Sequence, residues 1–300
     1  MRCRSRQNIR VAGRNALRAT IVGIVLLFVS TSVHAHTRLR VVTSIYILAS
    51  IVQQIGGKEV NVDYLIPPGS NPHLFSPRPR TLLRLSDADA FIGVGLGFEF
   101  WSGRIGRLLH DKRVLFIGSL YPKPLQMKRI SDSVVANPHV WLDPYFMAKR
   151  VFRRIADLLC SVNPDGCSGF RKRAKQLSQR VLSIANSYRS RFAHYGKSCI
   201  VDVKPAFEYM LRAFGLRSCC VVVKSGAREP TIGGIRCALR RCRCKNGAVI
   251  YVSDRRLAEL LARRLKYHAV QLDPLGEPGR LSNYTKLIEH NLSSLTNALK

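Results

Sequence analysis

Two blocks of alternating strand-like and helix-like segments constrain the fold of this chain more than any other feature. Short β-branched runs alternate with segments of helical spacing over residues 38–117 and again over residues 199–300. Between the blocks, residues 170–194 form an amphipathic stretch that would span about 40 Å as a single helix. The pattern predicts an α/β protein with two lobes, each with a largely parallel sheet flanked by helices, joined by one long connecting helix.

The same alternation predicts the domain boundaries. We expect an N-terminal α/β lobe over residues 36–146 and a C-terminal α/β lobe over residues 197–300. A helical connection over residues 147–196, including the long linking helix, lies between them. Because ligands bind in the crevice at the carboxyl ends of parallel strands, candidate functional residues should directly follow predicted strands.

The charge of the chain is strongly unbalanced. Lys and Arg number 49 against 18 Asp and Glu, which gives a formal net charge of +31 over 300 residues. A hydrophobic fraction of 46% excludes a largely disordered chain. No nucleic-acid-binding motif accompanies the basic residues, so nucleic acid is not expected as a partner. A solvated basic surface is the simplest explanation, with surface polyanions or anionic lipid as possible partners.

The first 35 residues are typical of a signal peptide. Arginines and no acidic residue precede an apolar run over residues 21–29, and the small residues Val33 and Ala35 occupy the positions that a signal peptidase reads. We expect export with cleavage after Ala35. An uncleaved N-terminal anchor is the alternative.

Eight cysteines would remain in the exported chain, where disulfides can form. Cys160 and Cys167 flank a turn-rich stretch and are the pair that we most expect to be bonded. Cys237, Cys242 and Cys244 lack the paired Cys-x-x-Cys spacing of a structural zinc site. For these three we expect buried free thiols or one disulfide.

A repeated Asn-Pro-His tripeptide is the most informative local motif. It places His73 and His139 after conformationally restricted prolines, so each imidazole leaves a stiff loop. Asp273 follows the last predicted strand. Two imidazoles and a carboxylate form a plausible site for Zn²⁺ or a neighbouring divalent metal. The alternative is that each histidine sits in a satisfied hydrogen-bond network.

With these motifs, the chain resembles the zinc- and manganese-binding substrate-binding proteins of bacterial ABC transporters, the TroA-like cluster A-I class. The resemblance covers essentially all residues after the signal peptide. The motifs that carry it are IPPGSNPH at 66–73, AD at 88–89, GLGFEFW at 95–101, NPHVWLDP at 137–144 and LDPLG at 272–276.

The resemblance implies a periplasmic protein that binds a divalent metal between its lobes for import. It places His73, His139 and Asp273 among the metal ligands, with zinc favoured and manganese possible. It further implies docking on a membrane permease with an ATPase behind it. We expect a monomer, and no enzyme, because the sequence suggests no general base beside these residues and no nucleophile motif.

One position departs from the resemblance. Members of the class carry a His or Glu ligand just after the first strand of the second lobe, and alignment on Phe207 and Tyr209 places Lys204 there. An ammonium group has no lone pair and repels a divalent cation, so Lys204 cannot act as a ligand in its charged form.

Several consequences of Lys204 stay open at this point. The metal keeps three protein ligands and a water, or Asp202, Glu208 or Glu229 substitutes, or the site no longer binds a bare metal. In the last case Lys204 could pair with Asp273 in a salt bridge. The alternative function is therefore a degenerate member of the class without metal, acting as a polyanion-binding or adhesive surface protein.

Overall fold

The computed structural model describes residues 38–101, 113–128, 134–225, 227 and 229–300. The expected signal peptide over residues 1–35 lies outside the described residues. The elements that precede the long helix are β1 (Leu39–Thr43), α1 (Tyr46–Gly56), β2 (Val60–Tyr64), α2 (Pro79–Ser86), β3 (Ala90–Gly93), β4 (Val114–Phe116), β5 (Gln126–Lys128), β6 (Val134–Ala136) and α3 (Phe152–Val162).

The long helix is α4 (Cys167–Ala193). The elements that follow it are β7 (Cys199–Asp202), α5 (Glu208–Ala213), β8 (Ser218–Val221), α6 (Ile232–Arg241), β9 (Gly247–Tyr251), α7 (Arg255–Leu265), β10 (His268–Gln271) and α8 (Tyr284–Ala298). Over the residues that the structure describes, the alternation that the sequence predicts is confirmed in both blocks. Both sheets lie in one compact unit that begins at Arg38.

The first sheet is parallel, with the strand order β2-β1-β3-β4. β1 lies between β2 and β3, where Leu39 pairs with Val60 and Val41 pairs with Ala90. Four of the five residues of β1 are buried, and α1 buries eight of its eleven. Near-continuous apolar strands of this kind suit a parallel sheet that is covered on both faces.

α4 is the connecting helix that the sequence predicts. It is 27 residues long, and its basic residues are mostly exposed. An apolar stripe at helical spacing faces the core. The residues of this stripe are Phe170, Ala174, Leu177, Val181, Ala185, Tyr188 and Phe192.

Arg173 joins α4 to the first lobe. Its Nε donates to the carbonyl oxygen of Ile55 at 2.6 Å, and its Nη2 donates to the carbonyl of Gly56 at 3.0 Å and to Glu59 at 3.1 Å. The last carbonyls of α1 have no partner within that helix, so a guanidinium at this end satisfies them and complements the helix dipole.

The second sheet is also parallel, with the strand order β10-β9-β7-β8. Its two central strands are fully buried. Val249 of β9 and Val201 of β7 pack with Ala258 and Leu261 of α7 in a second-lobe core. The carboxyl ends of these strands therefore meet at one edge of the sheet.

Four disulfides join the cysteines of the described chain. Cys160 is bonded to Cys167, which confirms the predicted pair. The expectation for Cys237, Cys242 and Cys244 was wrong, because each of the three belongs to a separate disulfide. Their pairs are Cys199–Cys244, Cys219–Cys242 and Cys220–Cys237.

The two neighbouring cysteines of β8 both bond to the region of α6 because the strand is irregular. Ile200 pairs with Ser218 and Val201 pairs with Cys220, so Cys219 is an extra residue in the ladder. In a regular strand, consecutive side chains point to opposite faces. A bulge changes this direction locally, and cysteine spacing alone does not reveal it.

A short antiparallel ladder of β5 and β6 directly precedes the second Asn-Pro-His motif. Directly before β5, the backbone N–H of Leu125 donates to the hydroxyl of Tyr209 at 2.8 Å. That hydroxyl donates in turn to the carbonyl of Asn137 at 2.9 Å. In the described part of the chain, no helix combines the length and the apolar character needed to cross a bilayer.

Replacing Arg173 by Ala should lower the free energy of unfolding by about 2 kcal/mol, because three hydrogen bonds to a charged group are lost. Arg171→Ala is the matched control on the same helix, since the exposed Arg171 only approaches Asp157 at 3.5 Å. For that variant we expect a change under about 0.5 kcal/mol in urea denaturation. Equal losses in the two variants would contradict a specific role for Arg173.

Candidate metal centre

A cavity of about 1010 Å³ opens at the carboxyl ends of the strands of both sheets. His73 lines it from the loop after β2, and Lys204, Ser225, Ser253 and Asp273 line it from the segments after β7, β8, β9 and β10. Ligands of parallel α/β proteins bind at this edge of the sheet.

His73 lies in a one-turn 3₁₀ helix, Pro72–Leu74. The side chain of Asn71 caps this turn, since its Oδ1 accepts from the backbone N–H of His73 at 3.0 Å. The ring of His73 packs edge-on against Phe98, with 5.3 Å between ring centroids, and lies at the same centroid distance from His139. The two imidazoles of the repeated tripeptide therefore meet.

His139 precedes a second 3₁₀ turn, Val140–Leu142, and is only 7% exposed. Oδ1 of Asn137 accepts from the backbone N–H of His139 at 3.1 Å and lies 2.8 Å from its ring Nδ1. The amide nitrogen of Asn137 donates to the carbonyl of Pro205 at 3.3 Å.

These contacts decide the tautomer of His139. The amide of Asn137 is oriented by a carbonyl on one side and an N–H on the other, so the atom that faces the ring is an acceptor. Nδ1 of His139 must then carry the proton, and Nε2 keeps its lone pair. A hydrogen bond of this kind fixes a histidine in the orientation that a metal ligand needs.

The surroundings of both rings favour the neutral imidazole. Burial lowers the pKa of His73. Burial lowers the pKa of His139 well below its usual value, and the neighbouring His73 lowers it further. Neutral imidazoles are the metal-binding form, so the pair is available without displacement of a proton.

The carboxylate of Asp273 is engaged with its own loop. Its Oδ1 accepts from the backbone N–H groups of Leu275 and Gly276, both at 2.8 Å. Its Oδ2 lies 3.3 Å from Nη2 of Arg280, whose Nε also donates to Glu277 at 2.8 Å. In this conformation the negative charge of Asp273 is compensated by a guanidinium.

Lys204 follows β7 and points to the acidic residue beyond β9. Its Nζ lies 3.0 Å from Oδ2 of Asp254 and 3.5 Å from the hydroxyl of Ser253. Lys204 and Asp273 therefore do not pair with each other, as one alternative from the sequence had it. Lys204 pairs with Asp254, and Asp273 pairs with Arg280.

The three candidate substitutes lie in different environments. Asp202 is 1% exposed, accepts from the backbone N–H of Lys204, and has a pKa raised well above the usual value by burial. Glu208 binds Arg212 and Ser218, whereas Glu229 is exposed. Each of the three lies outside the cavity lining.

Among the residues that the structure describes, no three His, Cys, Asp or Glu side chains are grouped closely enough to hold a metal. His73 and His139 are brought together, whereas Asp273 lines the same cavity but is turned to Arg280. The cavity lining therefore contains a histidine pair and, separately, the carboxylate of Asp273, which is paired with Arg280.

Sequence reasoning missed two cavity residues. Arg280 is one of 49 Lys and Arg in the sequence, and it lies in no motif. His290 lines the cavity from α8, and no motif surrounds it in the sequence. The signal that could have found Arg280 is its position within one loop of Asp273.

Aromatic side chains hold the two lobes together beside these residues. The buried Trp141 donates from Nε1 to the carbonyl of Pro274 at 2.6 Å. The hydroxyl of Tyr284 donates to the carbonyl of Trp141 at 2.7 Å. The loop that carries Asp273 is thereby joined to the segment that carries His139.

Comparison with known proteins assigns this arrangement to a family. Residues 41–298 match the model of ZnuA, described as the periplasmic component A of a zinc-uptake complex. The chain belongs to the ZnuA family. The recognition made from the sequence motifs is confirmed, because the match includes all of them.

Individual ZnuA-like relatives agree with this assignment. A putative metal-binding protein of Thermotoga maritima is 29% identical over 265 residues, which cover 87% of this chain and 92% of that protein. The manganese-binding lipoprotein MntA of Halalkalibacterium halodurans is 28% identical over 200 residues, 66% of this chain and 65% of that protein. A crystal structure of ZnuA, 20% identical, superposes with a TM-score of 0.75 over 88% of this chain and 100% of that one, and thus shows the same fold.

The tautomer of His139 is directly measurable. Long-range ¹H–¹⁵N correlation spectra at neutral pH should show the proton on Nδ1, and Asn137→Ala should shift the tautomer equilibrium toward Nε2–H. Asn71→Ala is the matched control, because Asn71 contacts the backbone N–H of His73. A predominantly Nε2-protonated His139 in the unmodified protein would contradict the assignment.

Proposed function

We propose that this protein is the periplasmic substrate-binding component of an ABC transporter that imports a divalent metal. The ion is captured in the cavity between the lobes and delivered to a membrane permease driven by an ATPase. The observation that carries the proposal is the pair of neutral imidazoles, His73 and His139, in a chain of the ZnuA family.

The proposed ligands are His73, His139 and Asp273. Nε2 of His139 has a free lone pair and lies on a ring that Asn137 holds in place. Asp273 can join the site once its Oδ2 exchanges Arg280 for the ion. Lys204 is not proposed as a ligand because it lacks a lone pair when charged.

Zinc is the favoured substrate, with manganese as the alternative. Imidazole-rich sites suit Zn²⁺, whereas carboxylate and carbonyl oxygens suit Mn²⁺. Asp202, Glu208 and Glu229 are not proposed as substitutes, since one is buried behind the backbone of Lys204, one is bound to Arg212, and one is exposed outside the cavity.

We also propose that the protein is exported and that its two lobes and their connection have defined limits. The basic and apolar segment before residue 36 is proposed as a cleaved signal peptide. Residues 36–146, 147–196 and 197–300 are proposed as the first lobe, the helical connection and the second lobe. These limits are supported by strands β1–β4, which precede Phe146, and by β7–β10, which follow α4.

Transport requires capture and release without chemistry, so no enzymatic activity is proposed. The alternative of a metal-free, polyanion-binding surface protein is not favoured, because the match to the zinc-uptake family extends over residues 41–298.

Purified protein stripped with chelator and offered equimolar Zn²⁺ and Mn²⁺ should retain one equivalent of zinc in elemental analysis. His139→Ala should weaken zinc binding by at least about 100-fold, because loss of a ligand removes several kcal/mol of binding free energy. His194→Ala is the matched control, since His194 follows α4 and is exposed outside the cavity lining.

Equal retention of zinc by the His139→Ala variant would remove this residue from the proposed ligands. Failure of the unmodified protein to retain either metal, both alone and with citrate or phosphate present, would contradict the proposed function.

A further inference from the structure

We propose that the cavity takes its metal together with a small oxyanion, a carboxylate or phosphate that Lys204 and Arg280 bind while one of its oxygens coordinates the ion. This inference rests on the proposed function and deepens it. The substrate would then be a metal complex with an anionic co-ligand, held by imidazoles on one side and by cations on the other.

The first observation is the charge at the position of the missing ligand. Lys204 is about one-third exposed, and its Nζ is held beside the cavity by Asp254 and Ser253. A bare Zn²⁺ nearby would be repelled by this ammonium, whereas an anion bound to the ion would be attracted. A positive charge at this position therefore favours a metal ion that carries a bound anion over a bare metal ion.

The second observation is a guanidinium at the remaining acidic ligand. Arg280 contacts both Asp273 and Glu277, and its side chain is 58% exposed. A guanidinium carries five N–H donors, of which these two ion pairs use two. Donors therefore remain for an oxyanion, and guanidinium geometry suits carboxylate and phosphate.

The third observation is the size of the cavity. Its volume of about 1010 Å³ corresponds to the pockets that enclose small organic ligands, whereas a metal ion alone needs donors within about 2.0–2.2 Å. Ser70, Ser225 and Ser253 also line it. Hydroxyl donors can satisfy the outer oxygens of a bound anion.

Coordination and charge are consistent with such a complex. Two neutral imidazoles leave positions on the ion for oxygen ligands. One oxygen of the anion would occupy such a position on the metal. The other oxygens of the anion would face Lys204 and Arg280, so the negative charge of the anion is balanced by the metal and by both side chains. Metal and anion should therefore increase each other's affinity by the same factor.

Equilibrium dialysis with radiolabelled citrate or radiolabelled phosphate, each with and without one equivalent of Zn²⁺, tests the proposal on the full chain. Retention of one equivalent of anion only in the presence of zinc is the expected result. Citrate retention identifies a carboxylate co-ligand, and phosphate retention identifies a phosphate co-ligand.

Three variants separate the roles of the cations. Lys204→Ala and Arg280→Gln should each weaken zinc-dependent anion retention by at least about tenfold, as expected for lost charge-assisted hydrogen bonds. Asp254→Asn is the matched control, because it breaks the same ion pair as Lys204→Ala but leaves the ammonium in place. Retention should be kept or increased in this variant. Circular dichroism checks the fold of each variant.

Zinc binding with neither anion retained would overturn the inference and leave the proposed function standing. Anion retention that does not require zinc, or that is unchanged in Lys204→Ala and Arg280→Gln, would also overturn it. Absence of zinc binding in both of the dialyses that contain zinc would contradict both the inference and the proposed function.

Discussion

The candidate site depends on the hydrogen bonds of the Asn137 side chain. One oxygen accepts from both the backbone and the ring of His139, and the amide nitrogen reaches the carbonyl of Pro205 in the second lobe. A single residue therefore fixes the tautomer of a candidate ligand and joins it to the segment that carries Lys204. Tyr209 strengthens this junction, since its hydroxyl donates to the carbonyl of Asn137. A proline ahead of His139 removes much of the remaining backbone freedom.

The rest of the cavity is built around opposite charges rather than around a preformed cluster of ligands. Asp273 is paired with Arg280, and Lys204 is paired with Asp254, so each cation has an acidic partner. In the proposed function, Asp273 must therefore exchange Arg280 for the ion before it can coordinate the metal. A long connecting helix joins the lobes, and Arg173 ties it to the first of them. We therefore expect local rearrangement of the loop of Asp273 to contribute more than wide opening of the lobes.

Local patterns in the sequence predicted the fold and several residues that line the cavity. The predicted helix over residues 170–194 corresponds to α4, and the two Asn-Pro-His motifs correctly placed His73 and His139 at strand ends facing one cavity. Features that depend on tertiary contacts escaped prediction. The partner of Lys204 is Asp254, which lies after a different strand, and Arg280 reaches Asp273 across a loop with left-handed turns at Gly276 and Gly279. The bulge at Cys219 likewise has no signature in the spacing of the cysteines.

The central claim is that the histidine pair coordinates the transported ion. X-ray absorption fine structure at the zinc edge of the loaded protein tests it most directly, because imidazole rings give a multiple-scattering pattern that oxygen ligands lack. We expect nitrogen and oxygen ligands at about 2.0–2.2 Å from the zinc, which is the usual distance for protein zinc ligands. Two of these ligands should be imidazoles. A shell of oxygen alone, without imidazole scattering, would contradict it.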